Sequence, residues 1–466
     1  MKTRLMLLIC IGLASILTLR AAEPDAVPRG EVLTAMKKAA EYFRTKVAVR
    51  GGYVYQVSPD LKQREGEGKA TATQIWVQKP GTPAVGMACL TAHAATGDAW
   101  YLDAAKETAE ALVFGQLESG GWTHSIDFDP ASSKAGRYRN GKGRAKGRNQ
   151  SSLDDGVTQN ALRFLMHADR ALSFKHAAIH EAAEFARASL LKAQFPHGGF
   201  PQGWDKPVAE LPVLPAKFPD YDWRTENRIK EYWGLPTLND NLSTDVTRTL
   251  IDAWEIYKDE GCRRAVAKLG DFLILAQMPE PQPGWAQQYD REMRPAWARK
   301  FEPPALAGSE SQDAIQALLT IHRFTGDAKY LEPIPRALAW LKRSALSDGR
   351  LARFYELRTN KPLYMTHEYV LTYDDSDVPS HYGWKGKSRI VELEAALKAA
   401  REPAPSKAAS PPGAKRIREI IASMDAEGRW LTARTGKPEP GAGEKVISSE
   451  VFIRNLEMLS AFAAAK

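Results

Sequence analysis

Residues 96–102 read Thr96-Gly97-Asp98-Ala99-Trp100-Tyr101-Leu102, and residues 325–331 read Thr325-Gly326-Asp327-Ala328-Lys329-Tyr330-Leu331. A turn that recurs this closely marks an internal repeat, and repeats decide architecture. From Gly97 to Gly120 is 23 residues, from Gly326 to Gly349 is 23, and from Gly261 to Gly284 is 23 again. The unit is a turn, a helix of about four to five turns, and a glycine loop. The loops read GGWTH (120–124), GGFPQGW (198–204), PGWAQQYD (283–290) and DGRLARFYE (348–356).

A second helix with a polar, acidic start follows these loops. Asp154-Asp155 opens a run with Ala161, Leu162, Leu165 and Ala168 at helical spacing. Asn239-Asp240-Asn241 precedes Val246, Leu250, Ala253 and Trp254, and Ser309-Glu310-Ser311 precedes Ile315, Leu318 and Leu319. These patterns predict amphipathic helices with capping residues at their starts. Little alternates with period two. The expected fold is all-α, an (α/α) toroid of about three helical-hairpin repeats, an incomplete ring with long loops at its cleft end. A helix from Ser449 to Ala463 closes it, after a Pro/Ala-rich connector at 402–414.

Composition agrees with one large soluble domain. The 466 residues are 44% apolar and 26% charged, which excludes a disordered chain and a multi-span membrane protein. Lys2 and Arg4 precede an apolar run from Leu5 to Leu19, followed by Ala21-Ala22. This reads as a signal peptide over 1–21, a single domain over 22–466, and a periplasmic or secreted product with no stable membrane anchor after cleavage. The mature chain keeps Cys89 and Cys262, whose pairing spacing alone leaves open. The net charge of +8 loses three positives with the signal, leaving +5. Segment 134–150 carries seven cations and no acid, so the remainder stands at −2. The basicity belongs to one loop.

The glycine loops and the second-helix starts crowd one end of such a ring, where chemistry is expected. The chain has no H-E-x-x-H, no paired C-x-x-C, no G-x-S-x-G and no Walker A loop. Asp154, Asp155 and Asp240 fall at equivalent starts. They are either helix caps or hard-oxygen ligands for Ca²⁺. The loop 134–150 runs into Asp154-Asp155. Its cations, with Trp122, Phe200, Trp204 and Trp285 as exposed rings, are expected to border the cleft, where cations suit a polyanion and indole faces suit sugars. Arg299, Arg353 and His367 form a further group, arginine being suited to carboxylates.

The runs LDDGVTQNALRFL (153–165), KAQFPHGGFPQGW (192–204), LNDN (238–241), WARKFEPPALAGSES (297–311) and ARFYELRTNKPLY (352–364) resemble polysaccharide lyase family 10, pectate lyases with an α-helical toroid. The likeness spans roughly residues 70 to 460 in the same order. It implies Ca²⁺-assisted β-elimination of polygalacturonate by a monomer acting on an acidic polysaccharide, with no nucleic-acid partner. It puts the acidic metal ligands and substrate contacts on Asp154, Asp155 and Asp240 and sets Arg299 in another of its motifs; Arg299, Trp122 and Tyr382 are the substrate-binding residues expected beside them. Arg353 falls on an arginine of the family's site. Where better-known members carry an arginine base this chain has His367, which makes His367 the candidate base. The segment before Tyr382-Gly383-Trp384 is also shorter than theirs. Two other readings stand beside it: an inverting glycoside hydrolase using Asp154 with Glu302 or Glu310, and a catalytically inactive polyuronate-binding protein.

Overall fold

A computed structural model describes residues 27–225, 230–402, 411–435 and 443–465. The expected signal peptide lies outside these residues, as does most of the 402–414 connector. Twelve α-helices appear among the described residues: α1 (Arg29–Tyr42), α2 (Thr82–Thr96), α3 (Ala99–Phe114), α4 (Val157–Ala171), α5 (Ala177–Lys192), α6 (Leu242–Tyr257), α7 (Glu260–Ala276), α8 (Gly308–Thr325), α9 (Ile334–Ser344), α10 (Ile390–Arg401), α11 (Ala414–Ala422) and α12 (Ser449–Ala464).

The recurring Thr-Gly-Asp is the turn of a helical hairpin. Gly97 and Gly326 end α2 and α8 at φ 73° and 75°, the left-handed conformation that glycine adopts without cost. Asp98 then accepts from the Trp100 amide and Asp327 from the Lys329 amide, which starts the next helix. At the other end of α3, α5 and α7 a glutamine does the equivalent work. Gln116, Gln194 and Gln277 each donate from Nε2 to a carbonyl of the following loop (Gly120, Gly198 and Pro283) at 2.8–2.9 Å. Each also donates to the next repeat (Ala182, Ala265 and Pro333) at 2.9–3.0 Å. One side chain thus folds its own loop and spaces it from its neighbour.

The hairpins α2–α3, α4–α5, α6–α7 and α8–α9 make four repeats, against about three expected from the spacings. The inner helices pack in the order α12, α2, α4, α6, α8, α10, with α1, α3, α5, α7 and α9 outside them. The fold is the expected all-α toroid. The chain's two ends meet where residues 56–57 pair antiparallel with 445–448, Gln56 opposite Ser448. Small sheets line the loop end. The largest there joins 306–307, 354–355, 362–365 and 371–372. The helices bury two apolar clusters, one through α2–α10 and one around α1, α11 and α12. Cys89 and Cys262 are buried free thiols. No helix among the described residues is long and apolar enough to cross a membrane.

The loops pass close to the outer helices. A Cβ at Gly198, where φ is +97°, would lie 1.9 Å from the Lys268 carbonyl oxygen. Gly198→Ala is therefore expected to cost about 2 kcal/mol or more, from left-handed strain and a backbone clash together, seen as a lowered Tm with activity retained on the folded fraction.

Candidate functional site

The inner helices α4 and α6 begin alike. Asp155 and Gly156 have φ of 47° and 68°, and Asp240 and Asn241 have φ of 50° and 59°. Two successive left-handed residues turn the chain into each helix, a conformation that Asp and Asn tolerate better than other side-chain-bearing residues. Asp155 thus corresponds to Asp240, and Asp154 to Asn239. The expected capping role fails: no side-chain cap bond is made at the starts of α4, α6 or α8. The left-handed pairs turn these carboxylates away from their own helix amides.

Gln202 Nε2 donates to Asp154 at 2.8 Å, Arg299 Nη2 lies 3.2 Å from it, and His124 Nε2 stands 4.0 Å away. Gln78 Nε2 donates to Asp155 at 2.6 Å. Asn239 Nδ2 donates to Asp240, whose pKa is pushed up to about 8 by burial first and then by the neighbouring Asp154 and Asp155, with Arg353 opposing. Asp155 is pushed up by burial, then by Asp154 and Glu67. These are two helix starts bringing like charges together in a poorly solvated place.

The arginines answer that charge. Arg353 Nη2 lies 3.5 Å from Glu310, 3.4 Å from Asn239 and 3.7 Å from Asp240. Its guanidinium stacks 4.3 Å from the centre of the Tyr382 ring. Its backbone N–H donates to Trp384 and its carbonyl accepts from Gly308, so the residue is fixed on both sides. Arg299 bonds through its amide to Glu302 at 2.9 Å, and the Tyr382 hydroxyl donates to the same carboxylate at 2.9 Å. Both guanidinium pKa values rise above the ordinary arginine range because their carboxylate partners outweigh burial. Burial pushes the Glu310 carboxyl up despite Arg353.

Asp154, Asp155, Asp240, Arg299, Arg353 and Tyr382 therefore form one constellation. Trp122 does not join it. It is fully buried, its Nε1–H donating to the Leu112 carbonyl at 2.8 Å, and Trp285 repeats this bond to Leu273. Phe200 and Trp204 are buried as well. The expected sugar platforms are instead buried, and Trp122 and Trp285 seat their glycine loops on the outer helices.

His367 sits on the hairpin 362–372. Its Nδ1 lies 2.6 Å from Asp377 and its side chain is 57% exposed. The hairpin reaches the constellation indirectly: Tyr369 packs on Phe301, and Phe301 on Tyr382. The basic loop turns elsewhere. Arg137 pairs with Glu118, and Arg139 with Glu181 on the outer helix α5. Sequence reasoning missed Gln78, Gln202 and His124. Gln202 and His124 stood in quoted loops without being singled out, and nothing around Gln78 marked it.

Among the described residues no three His, Cys, Asp or Glu are arranged to hold a metal by themselves. The Pectic acid lyase family model matches residues 116–352, half of the chain, and this stretch contains Asp154, Asp155, Asp240 and Arg299, with Arg353 and Tyr382 beyond its end. The chain belongs to the pectic acid lyase family. It is therefore a polysaccharide lyase, which displaces the glycoside hydrolase reading. No curated protein matches the chain. Among solved structures, a mutant of the Family 10 polysaccharide lyase from Cellvibrio cellulosa in complex with trigalaturonic acid is 18% identical, with 69% of this chain and 98% of that one covered at a TM-score of 0.48. The cellobiose 2-epimerase of Bacillus thermoamylovorans is 12% identical, with 94% and 99% covered and a TM-score of 0.48. An α-mannanase from Bacteroides thetaiotaomicron is 11% identical, with 93% and 95% covered and a TM-score of 0.42. Membership of the family rests on the 116–352 match. The acidic pair and Arg299 lie within it, and Arg353 follows directly after it.

Proposed function

We propose that this lyase is exported and cleaves polygalacturonate or a related uronate polymer by Ca²⁺-assisted β-elimination. The observation that carries the reading is the joining of Asp154 and Asp240, each beside an arginine. β-Elimination removes the C5 proton next to a carboxylate and expels the oxygen on C4. The enzyme must therefore neutralise that carboxylate and accept the proton. Arg353 supplies positive charge beside Asp240, in a fork suited to a carboxylate.

Calcium fits the donor chemistry. Asp154 and Asp240 offer hard carboxylate oxygens beside one another, and the raised Asp240 pKa is the sign of a site short of positive charge. With no three-residue cage among the described residues, the uronate and water must complete the coordination. Bound there, the ion would supply Lewis-acid stabilisation of the charge developing on the uronate. Asp155, held by Gln78, is a further ligand candidate.

The group positioned to take the proton is Arg299, which touches Asp154. Arg353 is wedged between Glu310 and Tyr382, and His367 is turned to Asp377. Tyr382 contributes by holding both arginines, stacking on one and sharing Glu302 with the other.

The test is the near-ultraviolet absorbance of unsaturated products from polygalacturonate, with and without EDTA. Absorbance should appear with Ca²⁺ and vanish on chelation. Hydrolysis without unsaturation, or binding without product, would reject the reading.

A second expectation concerns Asp240 alone. Its folded-state pKa stands above its ordinary value, so the native state holds a proton that the unfolded chain has lost. Metal-free stability is then fully present below about pH 4 as far as this group is concerned, and falls as pH rises to about 8. Asp240→Asn should raise the Tm at pH 8 in EDTA, leave it little changed at pH 4, and abolish Ca²⁺-dependent turnover. A Tm lowered at pH 8 would mean that Asp240 stabilises the fold as an anion.

A further inference from the structure

Asp155 differs from the two acids beside it. Asp154 lies 3.2 Å from Arg299 and Asp240 lies 3.7 Å from Arg353. Asp155 has no cationic side chain at ion-pair distance among the described residues, and what holds it is neutral. Gln78 Nε2 donates to Asp155 Oδ2 at 2.6 Å, the one hydrogen bond this carboxylate accepts among the described residues.

Gln78 is itself locked in place. It is 4% exposed, and the backbone around it is fixed on both sides. Residues 74–76 pair with 125–127, the Val77 N–H donates to the His124 carbonyl at 2.8 Å, and the Gln78 carbonyl accepts from Gly81 at 2.8 Å. The Trp76 indole Nε1–H donates to Gln78 Oε1 at 3.3 Å. An indole N–H can only donate, so the amide oxygen is held toward Trp76 and the NH₂ end is turned to the acids. That end also donates to Glu67 Oε1, at 2.8 Å. Glu67 is carried there by the turn between residues 64–65 and 69–70, which lies against the indole: a Cβ at Gly66 would stand 2.1 Å from Trp76 Cδ2. One amide therefore spans an indole and two carboxylates.

We propose that Gln78 is a positioning residue of the lyase site, aiming the Asp155 carboxylate as a cation ligand without neutralising it. The inference rests on the calcium-assisted reading above. It extends that reading to Glu67, Trp76 and Gln78, which lie outside residues 116–352. The role calls for an amide. A lysine or arginine at this place would orient Asp155 equally well but would compete with a divalent cation for its charge. An amide fixes one oxygen and leaves the whole charge available. Metal-binding carboxylates are generally held by such hydrogen-bond partners, and losing one costs about 10–100-fold in metal affinity.

The test is terbium luminescence, excited through tryptophan, of the full-length protein titrated with Tb³⁺ in place of Ca²⁺. It reads cation occupancy without turnover. Gln78→Met, close to glutamine in size but without donors, should weaken Tb³⁺ about 10–100-fold. Trp76→Phe, which frees the amide to rotate, should weaken it less, and so should Glu67→Gln. In an Asp155→Asn background Gln78→Met should cost little more, because the two residues act as a unit. A residue that merely packs would cost the same in both backgrounds. Turnover of Gln78→Met should fall further at limiting than at saturating Ca²⁺. Circular dichroism checks each fold, and if Gln78→Met is misfolded, Trp76→Phe with and without Asp155→Asn carries the same comparison. Unchanged Tb³⁺ affinity in Gln78→Met, an equal loss with and without Asp155, a loss fully matched by Glu67→Gln, or no Tb³⁺ binding by the wild type would each overturn the proposal. Failure of the lyase reading would appear separately, as absent unsaturated product from polygalacturonate, and would leave this titration unchanged.

Discussion

Arg299→Ala is expected to lower turnover on polygalacturonate by about 10²–10⁴-fold, the usual contribution of a general base, while His367→Ala leaves most activity in place. The expectation follows from position. Arg299 stands 3.2 Å from Asp154, at the acidic pair, whereas His367 is exposed and bonded to Asp377. The two candidates also predict different pH profiles. Glu302 and Asp154 hold the Arg299 guanidinium above the ordinary arginine range, so the fraction able to accept a proton grows throughout the alkaline range. A histidine base would bring the rate to a plateau after an inflection near an unperturbed value of about 6.5. Rate measurements from pH 6 to 10 on the wild type and both variants separate the cases. An inflection near neutrality that disappears in His367→Ala would return the base to His367. Arg299→Lys, which keeps the charge but loses the planar fork, should fall between wild type and Arg299→Ala.

The ring was legible in the sequence because its turns repeat chemically. A left-handed glycine followed by a capping aspartate recurs at two of the four hairpin turns, so Gly97-Asp98 and Gly326-Asp327 announced it, while α6–α7 turns on Lys258-Asp259 without a glycine. The α4–α5 hairpin uses His176 as its cap, and a spacing search keyed to glycine passes it by. The Asp154, Asp155 and Asp240 grouping was legible for a related reason: consecutive acids before an apolar run are too many for one cap. What the sequence concealed was direction. An aromatic beside two glycines looks the same whether it faces a sugar or its own helix, and only the Trp122 bond to Leu112 and the Trp285 bond to Leu273 decide for the helix. The cations of 134–150 likewise lead into Asp154 along the chain, yet Arg139 turns outward to Glu181. His367 matched by counting along the chain, and counting carries no information about which carboxylate an exposed ring will choose.

The largest stability effect is expected at Arg353. Arg353→Met should cost about 3–5 kcal/mol, because it leaves Glu310 as a buried acid without its cation. The Glu310 side chain is 3% exposed, and its second oxygen, Oε2, has no hydrogen-bond partner in the structure. Removing the guanidinium also strips the opposing charge from Asp240, so the acidic pair loses its closest support on that side. Glu310→Gln in the Arg353→Met background should return much of the lost stability, since a neutral amide has a far smaller burial cost than an anion. Activity should behave otherwise. If Arg353 grips the uronate carboxylate, the double variant refolds but stays inactive, with KM raised as well as kcat lowered. Chemical denaturation of the two single variants and the double variant measures the coupling, and turnover of the same proteins measures the role in substrate binding. A double variant that recovered both stability and activity would reduce Arg353 to a structural partner of Glu310.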